Sequence, residues 1–145
     1  MEPIINLTQH QPTPDQIEAG VVAINYGDSP LAYPMVAVDR EQDNARLLCA
    51  LNFRKIPTPS EVYAAADEIV AVALHYECKK AMIGGAPFLM TALAQALLEV
   101  GIEPVYAFSE RVVVEKVADD GQVTKTAVFK HVGFVPACVE YLGSV

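Results

Sequence analysis

The chain has no tryptophan, only three cysteines and three histidines, and ten Lys plus Arg against eighteen Asp plus Glu. Each shortage removes a class of function. The cation deficit leaves a formal charge of −8, so the surface as a whole repels polyanions and long nucleic acid is not an expected partner. Cys49, Cys78 and Cys138 are odd in number, far apart and free of any CxxC pair. That pattern excludes a disulfide framework and a zinc knuckle, and it fits a reducing cytoplasm. His10, His75 and His131 are too dispersed for ligand spacing, so neither metal nor other cofactor is expected. No apolar run reaches the roughly 18 residues that span a bilayer, and MEPIINLTQH lacks the basic and apolar regions of a signal peptide. A soluble, cytoplasmic protein without a membrane partner is the expectation.

What is present is apolar. Hydrophobic residues make up 52% of the 145 positions and charged ones 19%, which excludes disorder and predicts a single domain over residues 1–145. That much apolar surface exceeds what a small monomer needs to bury, and points to a homodimer.

The local patterns alternate between strand and helix. Ile4 to Leu7 is short, apolar and β-prone. Thr13-Pro14-Asp15-Gln16 then supplies an N-cap, a proline at the first helical position and a capping-box glutamine, with Gly20 as a stop. Val21 to Ile24 reads as a second buried strand, and NYGDSPLAYP after it as an irregular loop. A helix is expected around Arg40 to Cys49, a turn near Asn52 to Pro57, and a second capping box at Thr58-Pro59-Ser60-Glu61 opening a helix to about Tyr76. Cys49 and Cys78 fall on these helices and read as core or near-core thiols. Ala81 to Ile83 predicts a strand, Pro87 to Gly101 a helix and Glu103 to Phe108 another strand, which together form a parallel βαβ unit. The end differs. Arg111 to Val117 and Val123 to Phe134 are β-rich runs joined through Asp119-Asp120-Gly121-Gln122, an Asp-Gly hairpin signal. The fold class is α/β, with a parallel core and a C-terminal antiparallel hairpin.

Two places could carry chemistry. Gly84-Gly85 lies between a strand and a helix start, where it serves either as a tight turn that lets both pack closely or as a phosphate cradle of backbone amides that includes Ala86. The P-loop Lys and the full GxGxxG are missing. The second place is YAFSERV with FKHVGF returning beside it. Ser109, Glu110 and Arg111 emerge at a strand's carboxyl end, where open α/β sheets bind ligands. A two-residue Asp120-Gly121 turn sets Arg111 opposite Lys130 and Glu110 opposite His131. Such a basic pair is unfavourable without an anion nearby. The alternative is a solvated hairpin face. His10 follows the first strand and could carry a proton, or be ordinary surface. His75, at a helix end, reads as a partner of the helix dipole or as surface.

Taken together, NLTQHQPTPDQ, IGGAPFL, PVYAFSER and DGQVTKTAVFKHVGF resemble the small ring nucleases of type III CRISPR systems, which are related to the CARF sensor fold. The resemblance rests on His10, Thr13 and Gln16 after the first strand, and on Ser109, Arg111, His131, Val132 and Phe134 in the hairpin. It implies a Rossmann-like three-layer domain and a homodimer that binds a cyclic oligoadenylate across its two-fold axis. Cleavage is then metal-independent, by attack of the ligand's own ribose 2′-hydroxyl on the adjacent phosphate. His131, Arg111 and His10 take the catalytic roles, and Gly84, Gly85, Ala86, Ser109 and Lys130 contact the ligand. The alternatives are a non-catalytic protein that sequesters a cyclic nucleotide, and an interaction protein whose acidic surface meets a basic partner.

Overall fold

A computed structural model of the chain describes residues 2–24 and 39–138. The loop expected at residues 25–34 lies outside them. The elements in chain order are β1 (Ile4–Asn6), α1 (Pro14–Glu18), β2 (Val21–Val22), α2 (Arg40–Leu51), α3 (Pro59–Ala73), β3 (Lys80–Met82), α4 (Pro87–Glu99), β4 (Glu103–Val117) and β5 (Val123–Pro136). They form a mixed α/β structure around one five-stranded sheet of order β2-β1-β3-β4-β5. β1 pairs in parallel with β2 and β3, β3 in parallel with β4, and β4 antiparallel with β5.

The helices start where local chemistry starts them. Thr13 and Thr58 side chains each accept a hydrogen bond from the backbone N–H three residues on, and the Gln16 and Glu61 side chains accept one from the cap residue's own N–H. These reciprocal bonds satisfy amides that a helix start otherwise leaves orphaned. The core lies between the sheet and the helices. Ile5, Val22, Ala81 and Ile83 meet Leu47 of α2, Ile69 and Val72 of α3 and Leu89, Leu93 and Leu97 of α4. The alternate strand residues Ile4, Val21, Met82 and Val105 form a smaller cluster on the opposite face, closed by Phe134. β2 lies on the opposite side of β1 from β3, so a right-handed crossover places the short α1 on this second face.

Polar groups lock α2 to α3. The buried Asp43 carboxylate lies 3.0 Å from His75 Nδ1 and accepts a 3.0 Å bond from the Tyr76 hydroxyl. Nearer the surface, Arg46 Nε donates to Glu68 at 2.6 Å. His75 is therefore half-buried against a carboxylate, neither a helix-dipole partner nor plain surface. Of the thiols, Cys49 is exposed on α2 and so is not a core residue, whereas Cys78 follows α3 and packs, partly buried, against the core as expected. Desolvation, and after it the neighbouring Glu77 charge, push the Cys78 thiol up to about 11.

The largest departure is in the hairpin. β4 does not end at Phe108; it runs on as one strand from the parallel core into the hairpin. The turn is not a two-residue Asp120-Gly121 loop. Gly121 N–H donates to Ala118 O at 2.9 Å and Ala118 N–H to Gln122 O at 2.8 Å, with Gly121 at φ +86°. That is a three-residue loop closed by a left-handed glycine. The extra loop residue moves the register by one, and a bulge at Phe108/Ser109 with Val132 as the unpaired residue corrects it near the base. In the arm, Ser109 faces His131, Glu110 faces Lys130 and Arg111 faces Phe129. The expected Arg111–Lys130 pair does not exist, because a one-residue slip puts the two cations on opposite faces.

Candidate functional site

Asn6 ends β1 with 6% exposure, a polar side chain among apolar neighbours. Its Oδ1 accepts from Thr8 N–H at 3.0 Å and from Thr8 Oγ1 at 2.7 Å, and its Nδ2 donates to His10 O at 2.8 Å. This folds Thr8 to His10 into a tight loop over the carboxyl end of β1. Nothing in the chain's periodicity singled Asn6 out. A lone asparagine closing an apolar strand is the signal that could have found it.

β3 ends next to β1, and Gly84-Gly85 turns there into α4. Gly85 has φ +155°, a conformation that L side chains rarely adopt, and a Cβ on it meets Met90 Cε at 3.4 Å. Gly84 needs no such freedom: a Cβ there meets Thr8 Cγ2 at an ordinary 3.5 Å. So the glycine requirement is conformational, at Gly85, and the close-packing role expected of the pair does not extend to Gly84. Ala86 is the N-cap of α4 and supplies no side-chain bond, leaving that helix start without the cap that α1 and α3 carry.

The His10 loop, Thr13 and Gln16 of the α1 start, the Gly84-Gly85 turn and Tyr106-Ala107 of β4 line one hollow of about 400 Å³. Segments from the start, middle and end of the chain thus meet at the carboxyl edge of the parallel strands, where the topology predicts a ligand. Gly85 and Tyr106 also line an adjoining hollow of about 370 Å³ with Thr91 and Cys138. Burial raises the Tyr106 phenol, so at neutral pH it stays a hydrogen-bond donor. Among the described residues no Lys or Arg lines either hollow. The surface offered is amide, hydroxyl and imidazole.

Of the residues singled out by sequence, His10, Gly84 and Gly85 come together here, with Ala86 one step along the chain. Ser109, Arg111, Lys130 and His131 do not line the hollow. They lie further along the hairpin, Ser109 and His131 facing each other just beyond the bulge. His131 stacks on Phe134 with centroids 4.7 Å apart, and its Nδ1 is buried with no hydrogen-bond partner among the described residues.

A larger cavity lies elsewhere. It measures about 820 Å³ and runs between the starts of α3 and α4, lined by Phe53, Ile56, Tyr63 and Phe88 with Arg54 and Lys55 at its side. It is an open apolar trough on the helix layer rather than a convergence of polar groups. The smaller hollow is the better candidate on chemistry, since it gathers directed donors and acceptors at a sheet edge.

Fold and hollow together define a mixed α/β protein with a polar hollow at the carboxyl edge of its parallel strands. The chain belongs to the family described as the uncharacterized protein MJ1673 family, whose model matches residues 2–135. No curated protein and no solved structure matches it. No helix among the described residues is long and apolar enough to cross a membrane, and no cluster of three or more His, Cys, Asp or Glu among them is placed to hold a metal ion.

Proposed function

We propose that the hollow binds a cyclic oligoadenylate and that two chains act together as a homodimer of Rossmann-like domains to linearise it. The observation that supports this is the convergence of the His10 loop, the Gly85 turn and Tyr106 on one polar hollow. Thr, Gln and backbone groups can read a base edge or a ribose, and the uncapped start of α4 offers amide dipoles to a phosphate. Cleavage needs no metal in this reading. The ligand's 2′-hydroxyl attacks the adjacent phosphorus, the 5′-oxygen leaves, and a 2′,3′-cyclic phosphate remains. The protein aligns the hydroxyl and handles two protons, with His10 the imidazole in place to carry one.

Sequestration without cleavage is the second reading, favoured by one observation: no cation among the described residues lines the hollow to stabilise a crowded anionic phosphorus. Arg111 and His131 join the chemistry only if the hairpin of a partner chain delivers them.

One experiment separates the two readings. The protein is incubated with cyclic tetra-adenylate in EDTA, and both the solution and the denatured complex are analysed. Linear product at many turnovers supports cleavage, and intact ligand released by denaturation supports sequestration. If no ligand is retained and none is cut, both readings fall.

A further inference from the structure

Beyond Tyr106 the β4–β5 hairpin leaves the body of the protein. β3 pairs with β4 only over Glu103 to Val105. From Ser109 to Val117, nine residues at about 3.4 Å each, the ribbon reaches about 30 Å with no third strand among the described residues. A two-stranded ribbon of this kind is marginal in water unless something covers it. Its composition makes the point sharper. Nine of the fifteen exposed large hydrophobics among the described residues lie between Phe108 and Val135, Phe129 at 75% and Val113 at 58% exposure among them.

Three features say what covers it. First, both faces carry exposed apolar residues between their charged ones: Val113, Val117 and Phe129 share one, and Phe108, Val114 and Val128 the other. A flat partner surface seals one face only, whereas a second twisted ribbon coiled about the first seals both. Second, residues 106–135 hold four acidic and four basic side chains, so the ribbon is neutral while the rest of the chain carries the whole −8. Two neutral ribbons meet without the repulsion that two bodies would feel, and an acidic or basic partner has no charge excess to read. Third, among the described residues no strand pairs with the outer edge of β5 or with the edge of β4 beyond Val105, so the ribbon's backbone edges are left for a partner strand. The ribbon past the bulge, residues 109–131, also matches in size the roughly 20–30 residues per side of a standard interface.

We infer that the ribbon is a dimerisation arm whose partner is the same ribbon of a second copy of this chain. The inference rests on the homodimer half of the reading above and not on its ligand half.

The test is sedimentation of the full chain without nucleotide, over about 1 to 100 µM, for wild type and for Phe129→Asp and Val113→Asp. Dimeric wild type with a dimer dissociation constant at least ~10-fold higher in both variants supports the arm. A dimer that both variants leave unchanged overturns the arm and leaves the homodimer standing, and a wild type monomeric throughout overturns both. Hydrogen exchange on wild type guards against variants that fail to fold. Amides of residues 109–131 gain protection as concentration rises if the arm pairs with its copy, and protection independent of concentration contradicts it.

Discussion

β3 and the outer half of β4 are both strands of one sheet with apolar residues in them, and they end in opposite environments. Ala81 and Met82 are 0% and 3% exposed, whereas Val113 and Val114 are 58% and 38% exposed. What separates them is topology. β3 lies between two parallel neighbours with α3 and α4 above it, and β4 outruns its neighbour after three residues. Strand propensity resides in the residues, and cover depends on what the rest of the chain places beside them. In the body the fold is closed on itself; in the ribbon, among the described residues, the strands stay exposed on both faces.

The comparison can be broken first in the body. Leu93 is fully buried between sheet and helices, so Leu93→Ala should lower unfolding free energy by about 3 kcal/mol in a denaturant titration. A loss near zero would mean that α4 is not the packed lid it is taken to be. Asp43→Ala follows at about 2–3 kcal/mol, because it strips the buried acceptor from the Tyr76 hydroxyl and from His75. Replacement by Asn should recover part of that loss.

Gly85→Ala should cost about 1–2 kcal/mol through backbone conformation, and Gly84→Ala much less, since only the former has positive φ. Equal losses at both positions would return the turn to a simple packing explanation. The thiol prediction concerns pH. Cys78 stays protonated in the folded chain until about 11, while the unfolded thiol ionises near its ordinary value of 9. Its contribution to stability is therefore complete below pH 9 and lost as pH rises from 9 towards 11. In native protein at pH 8, Cys49 and Cys138, both exposed, should react with a thiol reagent well before Cys78. The smallest effect belongs to the ribbon: Glu115 and Lys125 face each other at 3.5 Å in open solvent, and Glu115→Ala should change stability by less than about 0.5 kcal/mol.

Sequence carried far in the body and less far in the ribbon. The two capping boxes, the proline-led helices, Gly101 and the βαβ unit were all legible, because each depends on residues within four positions of one another. The hairpin was legible as a hairpin, but its register was not. Asp120-Gly121 suits a two-residue or a three-residue loop equally well, and the bulge opposite Phe108/Ser109 adjoins Gly133, a lone strand glycine that marks a bulge without fixing which residue is left unpaired. That single residue of slip is what parted Arg111 from Lys130. At the site, His10 and the glycine turn were legible from their place after strands. Asn6, which shapes the His10 loop, was not, and neither was the Asp43–His75–Tyr76 cluster, whose members are 32 and 33 positions apart.

Calorimetric titration of cyclic tetra-adenylate in EDTA tests the central claim most directly when run on wild type, Asn6→Ala and Phe88→Ala. Binding in the wild type that weakens at least ~10-fold when Asn6 is removed and is unchanged when Phe88 is removed places the ligand in the hollow beside the His10 loop. No heat in the wild type, or binding that survives in Asn6→Ala and is lost in Phe88→Ala, contradicts it.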